Sequence, residues 1–185
     1  MGTDKALLAL DGHRLVDHMV DRLTQALVLA GEQRVVVRIN GAPGGRTALM
    51  DLRPGLGPLG GVEAAIREYP GSLLVFLPVD MPSMSPELLS RLIRESKGKM
   101  AASFRNQEMP FALHSNGESA RLLERLCGSM DQPRSRSVRS LLRELDAAEL
   151  PWDSADARCF LNLNTSREWN SWLREAGHES ALVSV

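Results

Sequence analysis

Buried strands alternating with amphipathic helices predict an α/β protein, with helices on both faces of a mostly parallel sheet. Residues 73–82 read LLVFLPVDMP, in which six of the first seven residues, all but Pro78, are apolar, and such a short run bounded by turn residues is what a strand buried on both faces requires. Residues 34–39 (RVVVRI) form a second such run. It is fed by a helix over about 13–30 in which Leu15, Val16, Met19, Leu23, Ala26, Leu27 and Ala30 share one face and Gly31 is the stop. A helix feeding a strand is half of a βαβ crossover, so another strand should precede Asp11. The opening MGTDKALLALDG holds none; it carries only Asp4, Lys5 and a short apolar run over 6–10.

At 185 residues, 43% apolar and 24% charged, the chain suits one domain, 1–185, with a proper core. A net charge of −1 offers no electrostatic reason for a nucleic acid or an anionic membrane as partner. Cys127 and Cys159 lie far apart without paired-thiol spacing, so neither a zinc site nor a disulfide framework is indicated. No apolar run approaches the ~18 residues of a membrane span, and no signal-peptide layout is present, so the cytoplasm is expected.

Asp80 stands between Pro78 and Pro82, where the strand must stop because neither proline can donate to a ladder. Ligands of open α/β sheets bind outside the carboxyl ends of the strands, so this acid is expected to face the crevice. A magnesium ion would suit it, since that ion takes one or two carboxylates and fills its other positions with water and phosphate oxygens. An acid that merely caps a turn fits the same residues.

Residues 41–61, GAPGGRTALMDLRPGLGPLGG, are rich in glycine and proline and lead into a helix over 62–68. Gly57 and its neighbours could let the backbone approach an anion at the helix start; a surface loop with a proline-initiated helix is the alternative. Asp51 suits a ribose or base contact, or a turn. Ser85 and Pro86 begin a further helix bearing Leu88, Leu89, Leu92 and Ile93. Residues 100–104 and 110–114 read as strands joined by the polar turn 105–108, a hairpin-like insertion at one sheet edge. After a helix with Leu122, Leu123 and Leu126, the basic segment 133–139 offers Arg134, Arg136 and Arg139 either to a phosphate or to solvent. Residues 159–163 (CFLNL) read as a last strand. Thr165 and Glu168 read as a capping box for a closing helix with Trp169, Trp172 and Leu173 inward.

Four stretches together, GTDKALLAL, GPLGG, LPVDMPSMSPELL and NLNT before a capped helix, resemble the molybdenum cofactor guanylyltransferases (molybdopterin-guanine dinucleotide biosynthesis protein A-like) over nearly the whole chain. Those belong to the nucleotidyltransferase superfamily. The resemblance implies a three-layer α/β/α sandwich with a Rossmann-like sheet of the nucleotide-diphospho-sugar transferase type. It also implies transfer of GMP from GTP to molybdopterin, with magnesium as cofactor and pyrophosphate as product. By the same resemblance Lys5 would neutralise the triphosphate and Asp80 would hold the metal. Asn40 and Asp51 would lie near the guanosine, Gly57 in the nucleotide loop, and Asn164 in the metal or phosphate environment. Without it, Lys5 reads as an exposed terminal charge and Asn164 as a strand-end turn residue. Transient contact with molybdopterin-delivering proteins is implied too. The alternatives are cytidylyl transfer, transfer onto a sugar phosphate, or a non-catalytic nucleotide-binding or regulatory homologue.

The family carries a strand and a Gly-rich loop upstream of GTDK, and Met1 and Gly2 correspond to the end of that loop. The chain is therefore expected to be N-terminally truncated, leaving part of the Val35, Val37 and Leu74 layer open. Arg38 stands where small or amide side chains commonly face the nucleotide.

Overall fold

An Asp-Gly turn opens the fold. Asp11 and Gly12 take positive φ (49° and 80°) and join β1 (Ala9–Leu10) to β2 (His13–Arg14) in a miniature antiparallel hairpin, a conformation that this dipeptide favours. A 3-10 turn, Lys5–Leu7, precedes it. The structure is a computed structural model and describes residues 5–41, 48–53, 55–128 and 137–178.

Helix α1 (Leu15–Leu29) follows, with Leu15, Val16, Met19 and Ala26 buried and Leu23 and Leu27 only half-buried. Of the expected strand over 34–39, only Ile39–Asn40 (β3) is in a ladder, pairing in parallel with β4 (Ala48–Leu49) as a separate two-stranded sheet. The valines before it pair with no strand among the described residues and line, with β5, the cleft between them. Helix α2 (Pro58–Glu68) returns the chain to β5 (Leu73–Phe76). β5 is shorter than expected, and only Leu74 of its residues is buried. It is not a strand covered on both faces, because it forms the edge of its sheet and borders a cleft of about 440 Å3.

The main sheet has the order β5-β7-β6-β8, built with β6 (Ala101–Phe104), β7 (Phe111–His114) and β8 (Ala148–Leu150). It is mixed rather than mostly parallel: β7 is antiparallel to both β5 and β6, and only β8 runs parallel to β6. The hairpin read from residues 100–114 is present, but inside the sheet, since β7 threads between β5 and β6. Strand β8 was not anticipated. Residues 159–163 are not a strand: Ala157–Phe160 is a 3-10 turn, and Phe160 packs edge-on against Phe104 at 5.3 Å.

The sheet separates two apolar clusters, which accounts for the layers. Ala102, Phe104 and Ala112 face α1, α3 (Pro86–Glu95) and α6 (Ser166–Ala176), where Leu15, Leu89, Leu92 and Trp169 are buried. Their alternating neighbours Ala101, Phe111 and Leu113 face α2, α4 (Gly117–Gly128) and α5 (Val138–Glu144), with Leu59, Leu123 and Leu141. Period-two alternation in the strands thus builds both cores at once. No helix among the described residues is long and apolar enough to cross a membrane.

Candidate functional site

The turn after β5 and the short stretch before α6 bring the first cluster together. The turn after β5 carries Asp80, and its carbonyl accepts a hydrogen bond from the Leu163 N–H at 2.9 Å. That bond sets Asn164 beside Asp80. Glu168, in the first turn of α6, accepts from the N–H groups of Asn164 (2.8 Å) and Thr165 (2.9 Å), while Thr165 Oγ1 accepts from the Glu168 N–H. The capping box read from the sequence is thus complete, and it also pins the backbone of Asn164. The N–H bond from Asn164, followed by that from Thr165, holds the Glu168 carboxyl below the ordinary glutamate range.

Lys5 reaches both partners. Its Nζ donates to Asn164 Oδ1 at 2.7 Å and to Asp80 Oδ2 at 3.2 Å. The two charged side chains are each about a quarter exposed, so a ligand can reach them. A cation thus already sits on two hard oxygen donors, and such donors suit magnesium. Among the described residues no group of three or more His, Cys, Asp or Glu could hold a metal alone. An ion here would depend on Asp80, on amide oxygen and on ligand phosphates, an arrangement that magnesium commonly accepts.

The second cluster lies where β3 and the loop after β4 meet the start of α2. Asn40 Nδ2 donates to Asp51 Oδ1 at 3.0 Å. Both side chains rest on glycines: a Cβ on Gly60 would fall 2.8 Å from the Asp51 carboxylate, and one on Gly61 would fall 2.5 Å from Asn40 Nδ2. The GG of GPLGG thus lets both side chains lie directly on the helix backbone, and a Cβ at either position would displace them. Gly57 is the N-cap of α2 with φ 58° and ψ −143°, a backbone that L side chains rarely adopt. It touches neither cluster among the contacts described.

The structure therefore joins Lys5, Asp80 and Asn164, and separately Asn40 with Asp51. Arg38 is exposed, its guanidinium 5.9 Å from the Tyr69 ring centre. Arg139 pairs with Glu108 at 2.7 Å, whereas Arg134 and Arg136 lie outside the described residues. A second pair at α2 was not singled out from the sequence: Arg53 donates twice to Glu63, at 2.6 and 3.0 Å, and Glu63 is only 4% exposed. The signal was a lone acid within the buried run VEAAI of α2.

A layered α/β fold in which a lysine, an acid past the end of β5 and an amide before α6 converge suits a nucleotidyltransferase, whose work is to handle phosphate charge. The chain belongs to the MobA-like NTP transferase domain family, whose model matches residues 1–149. It is 34% identical to the molybdenum cofactor guanylyltransferase of Xanthomonas euvesicatoria over 95% of this chain and 88% of that one. It is 29% identical to the enzyme of that name from Vibrio cholerae, over 90% of this chain and 81% of the other. Among solved structures, a nucleotidyl transferase from Methanothermobacter thermautotroptrophicus shares the fold with a TM-score of 0.61 at 16% identity, covering 96% of this chain and 86% of that one. The 2-C-methyl-D-erythritol 4-phosphate cytidylyltransferase of Thermus thermophilus does so with a TM-score of 0.58 at 13% identity, covering 95% and 92%. The three-layer nucleotide-diphospho-sugar transferase-like fold stands on these likenesses.

Proposed function

We propose that this protein transfers GMP from GTP to the terminal phosphate of molybdopterin in the cytoplasm. A phosphate oxygen of the pterin attacks the α-phosphorus of GTP, the bond to the β-phosphate oxygen breaks, and that electron pair leaves with pyrophosphate. The observation that carries this reading is the Lys5 ammonium shared by Asp80 and Asn164. Magnesium, when bound, supplies positive charge to phosphate oxygens; Asp80, with Asn164 beside it, would hold it. Lys5 then turns its ammonium to the triphosphate and neutralises charge that grows on the leaving pyrophosphate. Asn40 and Asp51, resting on Gly60 and Gly61, serve the guanosine, and the loop at Gly57 approaches the nucleotide. No protein nucleophile is needed, because the attacking oxygen belongs to the acceptor. Proteins that deliver molybdopterin would contact the molecule transiently.

Isothermal titration of the chain with GTP, CTP and ATP in the presence of magnesium tests this. Micromolar GTP binding that Asp80→Ala abolishes is the expected result. A folded chain that binds no nucleotide overturns the reading, and a preference for CTP replaces it with cytidylyl transfer.

A further inference from the structure

The segment that carries Asp51 is held on the molecule by side chains. It leaves β4 at Leu49, whose carbonyl accepts from the Gly41 N–H at 3.1 Å, and beyond that point the backbone of residues 50–53 makes no hydrogen bond among the described residues. Apolar burial does not anchor it either, since Met50 is 73% and Leu52 48% exposed. Two hydrogen-bonded contacts remain, one on each side of Leu52. Asp51 accepts from Asn40, and Arg53 donates to Glu63.

Helix α2 presents the two landing points in one row. Gly60 and Glu63 are three residues apart, so they are neighbours on one face, about 4.5 Å along the axis at ~1.5 Å per residue. Asp51 lies against Gly60 and Arg53 reaches Glu63, so the segment runs along the helix in the helix's own direction. Arg53 engages both carboxylate oxygens, Nε to Oε2 at 3.0 Å and Nη2 to Oε1 at 2.6 Å. Such a two-pronged bond fixes orientation as well as distance.

The acid itself stands in an apolar setting. Its neighbours Val62, Ala64, Ala65 and Ile66 are buried with it, and its side chain has little room to turn to water. A buried carboxylate is costly to desolvate even when paired, and an apolar side chain would carry no such cost. Arg67, one turn on, approaches the same Oε1 at 3.5 Å, but it belongs to the helix and not to the segment.

We propose that Glu63 is a positioning residue for the nucleoside cluster. Through Arg53 it lays residues 50–53 along α2, and so sets the Asp51 carboxylate over Gly60 within reach of Asn40. It touches no ligand. Its effect on nucleotide binding rests on the transferase reading; its hold on Asp51 does not.

The test begins without nucleotide, on the Asn40 side-chain amide in nitrogen–proton correlation spectra. Glu63→Gln and Arg53→Met are each expected to move that signal away from its hydrogen-bonded position, and the double variant to move it no further, because the pair acts as one unit. Arg67→Met should leave it in place. Calorimetry in magnesium then separates positioning from general stability. The two single variants should weaken GTP binding about tenfold, while tripolyphosphate, which lacks a nucleoside and reports on Lys5 and Asp80, binds as it does to the parent. An Asn40 signal unmoved by both single variants overturns the proposal, as does an equal shift in Arg67→Met or a parallel loss of GTP and tripolyphosphate. A parent chain that binds no GTP defeats the transferase reading alone, and the Asn40 signal still decides the positioning role. Where Glu63→Gln or Arg53→Met fails to fold, Arg53→Lys keeps the charge and loses the fork; an unchanged Asn40 signal in that variant then overturns the proposal.

Discussion

A single ammonium, on Lys5, is shared by two oxygens that come from distant parts of the sequence. Such a quarter-exposed pair adds at most about 1 kcal/mol to stability, so its removal should leave the fold intact. Asp80→Asn keeps the shape and removes the charge. Its expected outcome is a loss of about a hundredfold or more in pyrophosphate release, with a urea midpoint close to that of the parent. On the nucleoside side, Gly61→Ala places a methyl on Asn40. The substitution gains up to about 1 kcal/mol of helix propensity, so stability should hold while GTP affinity falls about tenfold as the Asn40–Asp51 bond is displaced. Titration calorimetry beside thermal melting separates the two effects.

Elements hold these residues through their ends. α6 begins with a reciprocal box between Thr165 and Glu168, and the same carboxylate holds the amide of Asn164. Thr165→Ala should cost about 1 kcal/mol, read from denaturant unfolding. Because the Glu168 carboxyl is held below its ordinary range in the folded chain, its contribution is present in full above that range and is lost as pH falls through the lower folded value. A Glu168→Gln chain should show a flatter fall in melting temperature over that acidic interval.

Caps of this kind were legible in the sequence because their bonds are local: Ser85 accepts from the Leu88 N–H as read, and α6 starts as read. The Asp-Gly hairpin of β1 and β2 was equally local and was overlooked beside the apolar run at 6–10. Residues 34–38 and 159–163 had strand composition but no ladder, since a strand needs a partner edge that composition does not reveal.

At the scale of the whole molecule, two cores flank one thin sheet. Leu89, fully buried in the cluster that also holds Phe104 and Trp169, should cost about 3 kcal/mol on replacement by alanine, measured by equilibrium unfolding. His18 ties α1 to the turn after Asp80 through the Pro82 carbonyl at 3.1 Å. Burial, the largest influence on it, lowers its pKa, so the folded chain disfavours protonation. Stability should therefore be complete above the ordinary imidazole range and decline as pH falls through the lower folded value. His18→Asn should flatten that decline in melting curves.

The sequence alone determined the layered α/β architecture, the caps at Ser85 and Thr165, and Asp80 as a candidate, with Lys5 and Asn164 added by family resemblance, because periodicity, turn chemistry and motifs are written over short distances; the helix read over 62–68 in fact begins at Pro58. Only the tertiary structure decided that β7 lies between β5 and β6, that Lys5 reaches an acid 75 positions away and an amide 159 positions away, and that a cleft of about 440 Å3 lies beside β5. Pairing edges and the space between them depend on which distant segments meet, and no local pattern of residues encodes that choice.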